Sequence, residues 1–492
     1  MIAKLKIFLF KNLSPRQTLT KNIFWLSFGQ VGSRFIRAII IIYAARALGA
    51  TEYGVFAYVL GLAGFFTVFS DMGINSLLMR DVASHLEEKS KYFAASFWIK
   101  IILLSIASLL LVFVAPYFSK IGIAISLFSL VALMAVFDGL GEFFSSFLRG
   151  VEKMELEAFI IVAENIALVI AGFALLALSP NAKSLIMSYI VSLGLGAILA
   201  AFFIRKQFLN IFRYFDINLI KKIINSAWPI AFSSILGIFM INTDVVMLGW
   251  LRTAQEIGYY SIGQRFVPLL LTLPNIFATA IFPILSRFAA QKEQQKEKNL
   301  NEKSMALIFM IVLPLIFGGI ILAAPIIKLI FGQSYLPAVP AFRILITSLI
   351  WIFPNVFLTN LVLVHNYQKK IVKYLVLSSL GNIIINLFLI PLWGIIGAAV
   401  ATFISQTLYV VPTWIKMKKI SDFQTLRYLK KIIAAAIIMA GTSFVLNYFN
   451  SNVILNILIS TGVYLGVLYL LKEKVLEEIL ILFKKFKEAP SQ

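Results

Sequence analysis

The sequence predicts an all-α polytopic membrane protein with about fourteen transmembrane helices. Its 492 residues are 60% hydrophobic and only 13% charged, with a mean hydropathy of +0.92. Apolar runs of about 20 residues, each long enough to cross a hydrocarbon core, recur along the whole chain. The basic residues that give the net charge of +22 collect in the short segments between these runs. This composition is typical of a membrane protein, and the placement of the charge argues against nucleic-acid binding.

Each expected span is an apolar run bounded by polar or turn-forming residues, and the spans follow one another with short loops. The fourteen expected spans are 22–48, 53–79, 92–115, 121–148, 157–178, 184–204, 223–250, 258–285, 304–327, 339–364, 371–392, 394–415, 430–449 and 453–471. The least clear boundaries lie at the tight turn PLWGIIG, which begins at Pro391, and in the last two spans.

The distribution of basic residues predicts the orientation. If the N-terminus is cytoplasmic, 34 of the 44 Lys and Arg residues fall in or beside cytoplasmic segments and five on the outside. This asymmetry follows the positive-inside rule and predicts that both termini are cytoplasmic. The expected segments are a basic N-tail (1–21), an N-lobe of six spans (22–204), a cytoplasmic linker (205–222), a C-lobe of six spans (223–415), two further spans (430–471) and a C-tail (472–492).

The two lobes are expected to be repeats of one six-span unit. LGATEYGVFAYVLG in span 2 aligns with LRTAQEIGYYSIGQ in span 8, and LLMRDVA aligns with PILSRFA about thirty residues later. GVEKMELEAFIIVAEN aligns with NYQKKIVKYLVLSSLGN after one insertion. Because each unit has an even number of spans, both copies begin on the same side of the membrane. The repeat therefore predicts two lobes related by an axis along the membrane normal, with a substrate path between them.

Three stretches resemble a known family. INTDVVMLGWLRTAQEIGYYSIGQRF, FPILSRF and NLFLIPLWGIIGAAVATFISQ are similar to the polysaccharide transporters, or Wzx-type flippases. Their superfamily, called MOP, also contains the multidrug and toxin extrusion (MATE) transporters and the lipid II flippase MurJ. The resemblance covers nearly the whole chain and implies the MOP-type flippase fold. It also implies movement of a polyprenyl-pyrophosphate-linked oligosaccharide from the cytoplasmic to the outer leaflet by alternating access.

Two arginines lie near the middle of span 1. Ser27, Gln30, Arg34 and Arg37 are spaced by three or four residues, so they share one face of a helix. A central arginine costs about 2.5–3.5 kcal/mol on insertion scales, so the pair requires a polar cavity or acidic partners. A guanidinium holds two phosphate oxygens at once and stays charged, which makes Gln30, Arg34 and Arg37 candidates for binding the lipid pyrophosphate in a basic central cavity.

The alternative role for these arginines is internal pairing. The acids within spans that could pair with them are Asp71, Asp138, Glu142 and Glu164. Span 8 offers a further anion-site candidate, because Ser261 and Arg265 are four residues apart and precede Pro268. Arg343 is expected to anchor at the interface. Lys100 lies near enough to a boundary to extend its amine to the surface, and no role is assigned to it.

The resemblance to MurJ also implies a sodium site. There, sodium is held by an acid on span 7, an Asn and an Asp on span 11, and groups on span 12. The matching positions here are Asp244, Asn382, Asn386 and Thr402. Asn386 replaces the Asp of the family pattern, so one negative charge is missing and the site should be weaker or absent. Alternatively, the two asparagines only hydrogen-bond to neighbouring helices. Sodium or protons are the expected coupling ions, and no cofactor is expected.

The sequence favours a transporter over an enzyme. No nucleotide-binding loop is found, no nucleophile–base arrangement is evident, and the only histidines, His85 and His365, fall in expected loops. Lipid II is the competing substrate for a flippase. A MATE-like ion-coupled exporter is a more distant alternative, because such exporters favour acidic cavities and the first span is basic. The expected partners are the lipid-linked oligosaccharide, membrane lipids and the polymerase or glycosyltransferases of the same assembly line. A monomer in the cell membrane is expected.

Overall fold

The computed structural model describes residues 15–209, 211–424 and 426–478, and within these ranges the chain forms helices and no strand. The predicted all-α fold class is therefore confirmed. The outer parts of both predicted tails, residues 1–14 and 479–492, lie outside the described residues. So do the side chains of Ser27 and Gln30, two of the four polar residues predicted to share a face of span 1.

The chain divides into two compact units, Met1–Gly258 and Tyr259–Gln492. The described helices of the first unit are α1 (Pro15–Thr67), α2 (Ile74–Ser84), α3 (Lys89–Leu109), α4 (Gly122–Ile125), α5 (Phe128–Gly150), α6 (Met154–Leu178), α7 (Ala182–Phe203), α8 (Arg205–Phe208) and α9 (Ile217–Leu251). This boundary differs from the predicted lobes, because it groups α9, the seventh expected span, with the first six. The division into repeated lobes stays a prediction.

The next helix, α10 (Ala254–Leu270), begins at the end of the first unit and continues into the second. The second unit continues with α11 (Thr272–Ala290), α12 (Gln294–Ile321), α13 (Ala323–Phe331), α14 (Val339–Thr347), α15 (Leu349–Val364), α16 (Gln368–Trp393), α17 (Ile395–Ser421), α18 (Leu426–Tyr448) and α19 (Val453–Leu470). The predicted span 8 is thus two helices that meet near Leu271, just after Pro268.

Twelve helical stretches in the described residues are long and apolar enough to cross a membrane, and a bent pair within α9 raises the number to thirteen. The predicted number of fourteen is not confirmed by this count. The first expected span and the second as far as Thr67 lie in one 53-residue helix, α1, which is interrupted at Gly49. The rest of the second expected span falls in a short 3-10 turn and in α2. Gly49 has φ 69° and ψ 176°, a conformation that glycine adopts without steric cost.

Local sequence explains the other breaks. In α9, Pro229 removes a helical donor, and the halves Ile217–Phe232 and Gly237–Leu251 meet at 51°. Gly394, with φ 55° and ψ −128°, separates α16 from α17 at the PLWGIIG turn. A Cβ at Gly397 would meet the Leu389 carbonyl, so glycine is required for this tight connection.

The EYG and EIG motifs of the aligned segments meet within the first unit. A Cβ at Gly54 of α1 would collide with the Ala254 carbonyl, and a Cβ at Gly258 of α10 would collide with the Ala50 carbonyl. The two contacts are reciprocal, since each glycine faces the residue four positions before the other. Both glycines are buried, and they allow the two backbones to pack directly against each other.

Candidate substrate site

A cavity of about 340 Å³ lies within the first unit. Its lining comes from α1, α5, α6 and α7 and is rich in ionisable side chains. The lining residues are Ser33, Arg34, Arg37, Asp138, Gly141, Glu142, Ser145, Glu157, Ile160, Ile161, Glu164 and Leu193. We call this space the charged cavity. Its position inside a bundle of apolar helices accounts for why these side chains are tolerated in predicted spans.

Both candidate arginines of span 1 line the charged cavity. Arg34 and Arg37 are three residues apart on α1, so the helix directs them to the same side. The Arg37 Nε donates to Asn165 Oδ1 at 3.2 Å, and Asn165 Nδ2 donates to the Ile161 carbonyl at 2.7 Å. Asn165 is 1% exposed, so a fixed amide holds the Arg37 guanidinium at the cavity wall.

Three of the four acids proposed as partners also line the charged cavity: Asp138, Glu142 and Glu164. Glu164 lies against α7, where a Cβ on Gly196 would collide with its carboxylate. Ser192 Oγ donates to the Glu164 carbonyl at 2.7 Å, which joins α7 to α6. The acids therefore belong to the same polar region as the arginines.

A third arginine links two helices at the charged cavity. Arg149 pairs with Glu142 on its own helix α5, and its Nε lies 2.9 Å from Glu157 Oε1 on α6. Arg149 lies between the expected spans 121–148 and 157–178, in an expected cytoplasmic loop, so this role was not predicted. The spacing offered a signal, because Glu142 precedes Arg149 by seven residues, or two helical turns.

The fourth acid, Asp71, pairs elsewhere. Lys100 Nζ lies 3.4 Å from Asp71 Oδ1, and the lysine side chain is 1% exposed. The prediction that Lys100 extends to the membrane surface was therefore wrong. Asp71 also accepts from the backbone N–H groups of Gly73 and Asn75 at 3.2 and 3.1 Å, so it orders the start of α2 as well. The proposed pairing of Asp71 with the span-1 arginines is not found, because its carboxylate faces Lys100.

The charge of the cavity differs from the expected basic lining. Two guanidinium groups and four carboxyl groups face it, and Arg149 compensates part of the excess acid. Guanidinium groups donate hydrogen bonds, and carboxylates accept them. The arrangement can bind a ligand that offers both an anion and many hydroxyl groups.

The candidates of span 8 lie in the second unit and do not line the charged cavity. Ser261 is 2% exposed on α10, and Arg265 is half-buried one turn later on the same helix. Arg343 is exposed on α14, and its Nε donates to the Ile320 carbonyl at 3.0 Å. The role of Ser261 and Arg265 in binding an anion stays a prediction.

The residues of the predicted sodium site are divided between the units. Asp244, 3% exposed, is on α9 of the first unit. In the second unit, Asn386 Nδ2 donates to Asn382 Oδ1 at 3.1 Å, and Thr402 Oγ1 lies 3.2 Å from the Tyr260 hydroxyl. The two asparagines thus bond to each other, one helical turn apart. The sodium site stays a prediction.

A polar cluster in the second unit was also missed by sequence analysis. His365 Nε2 lies 2.8 Å from Glu297 Oε1, and Ser421 Oγ donates to the same oxygen at 2.6 Å. Serine and histidine share one carboxylate oxygen, which differs from the relay in which a histidine lies between the other two groups. The cluster joins the start of α12 to the ends of α15 and α17.

Comparisons with known proteins agree with the fold. The family model for polysaccharide biosynthesis proteins matches residues 19–289, and the MatE model matches residues 229–388. Agl15 of Haloferax volcanii, described as a probable low-salt glycan biosynthesis flippase, is 25% identical over 82% of this chain and 84% of its own. The capsular polysaccharide biosynthesis protein CapF of Staphylococcus aureus is 22% identical over 82% of this chain and all of its own.

Among solved structures, the lipid II flippase MurJ in an inward closed conformation matches with a TM-score of 0.75. Its sequence is 20% identical, and the match covers 90% of this chain and 98% of MurJ. The predicted MOP-type flippase fold is therefore confirmed, and these relatives are transport and biosynthesis proteins rather than catalysts. Since the first family model covers more than half of the sequence, the chain belongs to the polysaccharide biosynthesis protein family.

Proposed function

We propose that this protein is a flippase that moves a polyprenyl-pyrophosphate-linked oligosaccharide from the cytoplasmic to the outer leaflet by alternating access. The glycan then serves cell-surface polysaccharide assembly. The membership in the polysaccharide biosynthesis family supports this, as does the resemblance to a relative described as a glycan biosynthesis flippase. The protein acts in the cell membrane with both termini cytoplasmic, as a monomer that receives its substrate from glycosyltransferases and delivers it to a polymerase.

The observation that carries this proposal is the charged cavity. Charged side chains are costly inside a bilayer, so a chain keeps them there when they pair or handle a polar substrate. Here Arg34 and Arg37 line the same cavity as Asp138 and Glu164. A lipid-linked oligosaccharide combines the two chemistries that these groups recognise, since it carries a pyrophosphate and many sugar hydroxyls.

Within this proposal, the guanidinium groups of Arg34 and Arg37 bind pyrophosphate oxygens through paired N–H donors. The carboxylates of Asp138 and Glu164 accept hydrogen bonds from sugar hydroxyls. The two arginines favour a substrate with an anionic group, whereas the carboxyl groups alone would also suit a cation of the kind that a MATE-like exporter carries. Lipid II also combines pyrophosphate with sugars and is the alternative that the experiment must separate.

The experiment measures the flipping rate in proteoliposomes for the native protein, Arg34→Ala and Arg37→Ala. Each protein is tested with two substrates, a polyprenyl-pyrophosphate oligosaccharide and lipid II. Loss of a charge-assisted hydrogen bond of about 1.5–3 kcal/mol predicts a rate about 10- to 100-fold lower. Arg37→Lys should recover only part of the rate, because an ammonium lacks the planar fork. Arg343→Ala is the matched control, since that arginine lies outside the charged cavity.

Three outcomes decide the matter. Equal rates for the native protein and both alanine variants would contradict the assignment of the arginines to the substrate. Variants that are degraded or aggregate before assay would show that the arginines serve to pair the acids of the charged cavity. Preference of the native protein for lipid II would replace the oligosaccharide with the peptidoglycan precursor as substrate.

A further inference from the structure

A second cavity of the first unit, of about 380 Å³, differs sharply in charge from the first. Four of its lining residues are basic and none is acidic. The lining consists of Lys89, Phe147, Leu148, Val151, Lys153, Phe202, Phe203, Ile204, Arg205, Lys206 and Gln207. We call it the basic cavity. Its volume falls in the range of small-molecule sites, about 300–1,000 Å³.

The basic residues come from three separate connections between helices. Lys89 begins α3, Lys153 precedes α6, and Arg205 with Lys206 forms the start of α8. The positive-inside distribution places all three connections on the same, cytoplasmic, side. The cavity is therefore expected at the membrane surface, where the headgroups of lipids lie.

Two carboxylates close in sequence to these lysines pair with cations outside the basic cavity. Glu88 lies 2.7 Å from Lys91 Nζ, and Glu155 lies 2.9 Å from Lys21 Nζ. Among the described residues, none of the four basic side chains of the cavity forms an ion pair with a carboxylate within 4.0 Å. Like charges gathered without acids repel each other, and an anion bound among them removes this repulsion.

The cavity is held in shape by contacts away from its charges. Ser90 Oγ donates to Gln207 Oε1 at 2.7 Å, which fixes α8 to the start of α3. Phe208 packs against Phe93 and Phe144, with ring centroids 5.7 and 5.5 Å apart. The backbone N–H of Lys153 donates to the Leu148 carbonyl at 2.9 Å and orders the turn that presents this lysine. The site is thus largely formed before any ligand binds.

The apolar part of the lining indicates what the anion is attached to. Phe147, Leu148 and Ile204 are at most 3% exposed and form the floor. Phe202 is 56% exposed, and the Arg205 guanidinium lies 4.6 Å from the centre of its ring. An exposed aromatic side chain beside a cation offers an apolar surface that leads from the charged groups toward the bilayer, as an amphipathic ligand requires.

The segment that follows continues this pattern. Leu209 and Phe212 are more than four-fifths exposed, and Arg213 is exposed between Phe212 and Tyr214. Exposed apolar side chains next to basic ones are typical of a surface that lies against lipid headgroups. These side chains suit a position of the basic cavity beside lipid headgroups.

From these observations we infer that the basic cavity binds the phosphate headgroup of a membrane lipid. The ligand is a lipid-borne phosphate, either the phosphodiester of an anionic phospholipid or the pyrophosphate of a polyprenyl carrier. The four cations bind the phosphate oxygens, and the aromatic wall contacts the first carbons of the lipid chain. The site is separate from the charged cavity, and binding there does not depend on flipping.

The test is equilibrium binding to the purified full-length protein in nonionic detergent, followed by fluorescence anisotropy. The probes are fluorescent phosphatidylglycerol, fluorescent farnesyl pyrophosphate and fluorescent phosphatidylcholine, with inorganic pyrophosphate as competitor. The variant Lys153→Gln with Lys206→Gln removes two charges that form no ion pair in the described structure. The matched control, Lys369→Gln with Lys419→Gln, removes two exposed charges from expected cytoplasmic segments of the second unit.

The loss of each juxtamembrane cation should weaken the binding of an anionic lipid about fivefold. The loss of two should therefore raise the Kd of the anionic probe about 30-fold. The control should change it less than about threefold, and phosphatidylcholine should not bind detectably. The anionic probe with the lower Kd identifies which lipid the site prefers.

Equal weakening by the cavity variant and the control would overturn the inference, because binding would then reflect only diffuse charge. Displacement of both anionic lipid probes by an equimolar amount of inorganic pyrophosphate would also overturn the inference, because the lipid chain would then contribute nothing to binding. These outcomes concern binding alone, so they are distinguishable from a failure to flip oligosaccharide.

Discussion

Replacing Gly54 with alanine is expected to destabilise the first unit although alanine is the better helix former. Gly54 lies within α1 and faces the backbone carbonyl of Ala254 so closely that a Cβ has no room. Gly258 faces the Ala50 carbonyl in the same way. Because the obstruction is backbone in both contacts, no side-chain rotation relieves it, and the helices must move apart.

Two opposing effects set the magnitude. Alanine gains about 1 kcal/mol over glycine within a helix. Overpacking costs about 1–3 kcal/mol, and because the Ala254 carbonyl is rigid, the Gly54→Ala variant should lose about 3 kcal/mol by this effect. The net loss is about 2 kcal/mol. At roughly 2–4 °C per kcal/mol for a unit of this size, the Tm should fall by about 4–8 °C.

The assay heats the purified protein in detergent to a series of temperatures. The protein that remains soluble is then measured by size-exclusion chromatography, which gives the Tm. Gly441→Ala is the matched control, because Gly441 is exposed within α18 and its added Cβ meets nothing within 4 Å. The control should unfold about 2–4 °C above the native protein. The double variant of Gly54 and Gly258 should lose less than the two single losses together, since separation of the helices relieves both contacts. A Gly54→Ala protein as stable as the control would refute the reasoning.

Two further predictions concern orientation and energy coupling. The chain has no native cysteine, so Lys183→Cys should react with an impermeant maleimide in whole cells, while Lys418→Cys should react only after the membrane is opened. The reverse labelling would contradict cytoplasmic termini. If sodium drives transport, a sodium gradient should speed flipping in proteoliposomes, and Asp244→Asn should abolish that response with a modest change in the rate without sodium. Rates that ignore sodium in both proteins would leave protons or the membrane potential as the driving force.

Sequence alone predicted the features that depend on local composition. Apolar runs of sufficient length defined the helices, and Gly394 ends α16 at the predicted PLWGIIG turn. The alignment of EYG with EIG identified two segments that turn out to pack against each other through Gly54 and Gly258. Such patterns are readable because they depend on neighbours in sequence or on a repeated motif.

Pairing between helices could not be predicted in the same way. Lys100 was expected to reach the surface, but it meets Asp71, 29 residues earlier, and is almost wholly buried. Arg149 was assigned to a loop, but it joins Glu142 to Glu157 on a different helix. In each case the position along the chain was compatible with several partners, and only the packing of the helices selects one.

The mixed charge of the cavity changes how the span-1 arginines are understood. Two roles were expected for these arginines, binding an anion or pairing with acids. Arg37 lines the same cavity as Asp138 and Glu164, so both roles would use the same groups. Acids that compensate the arginines lower the cost of keeping two cations in a membrane protein. Under the proposed function, a pyrophosphate would take over guanidinium donors from the carboxylates, which would then accept hydrogen bonds from sugar hydroxyls. Under this proposal, a ligand that carries both groups would bind better than one that carries either alone, which is the selectivity that an oligosaccharide flippase requires.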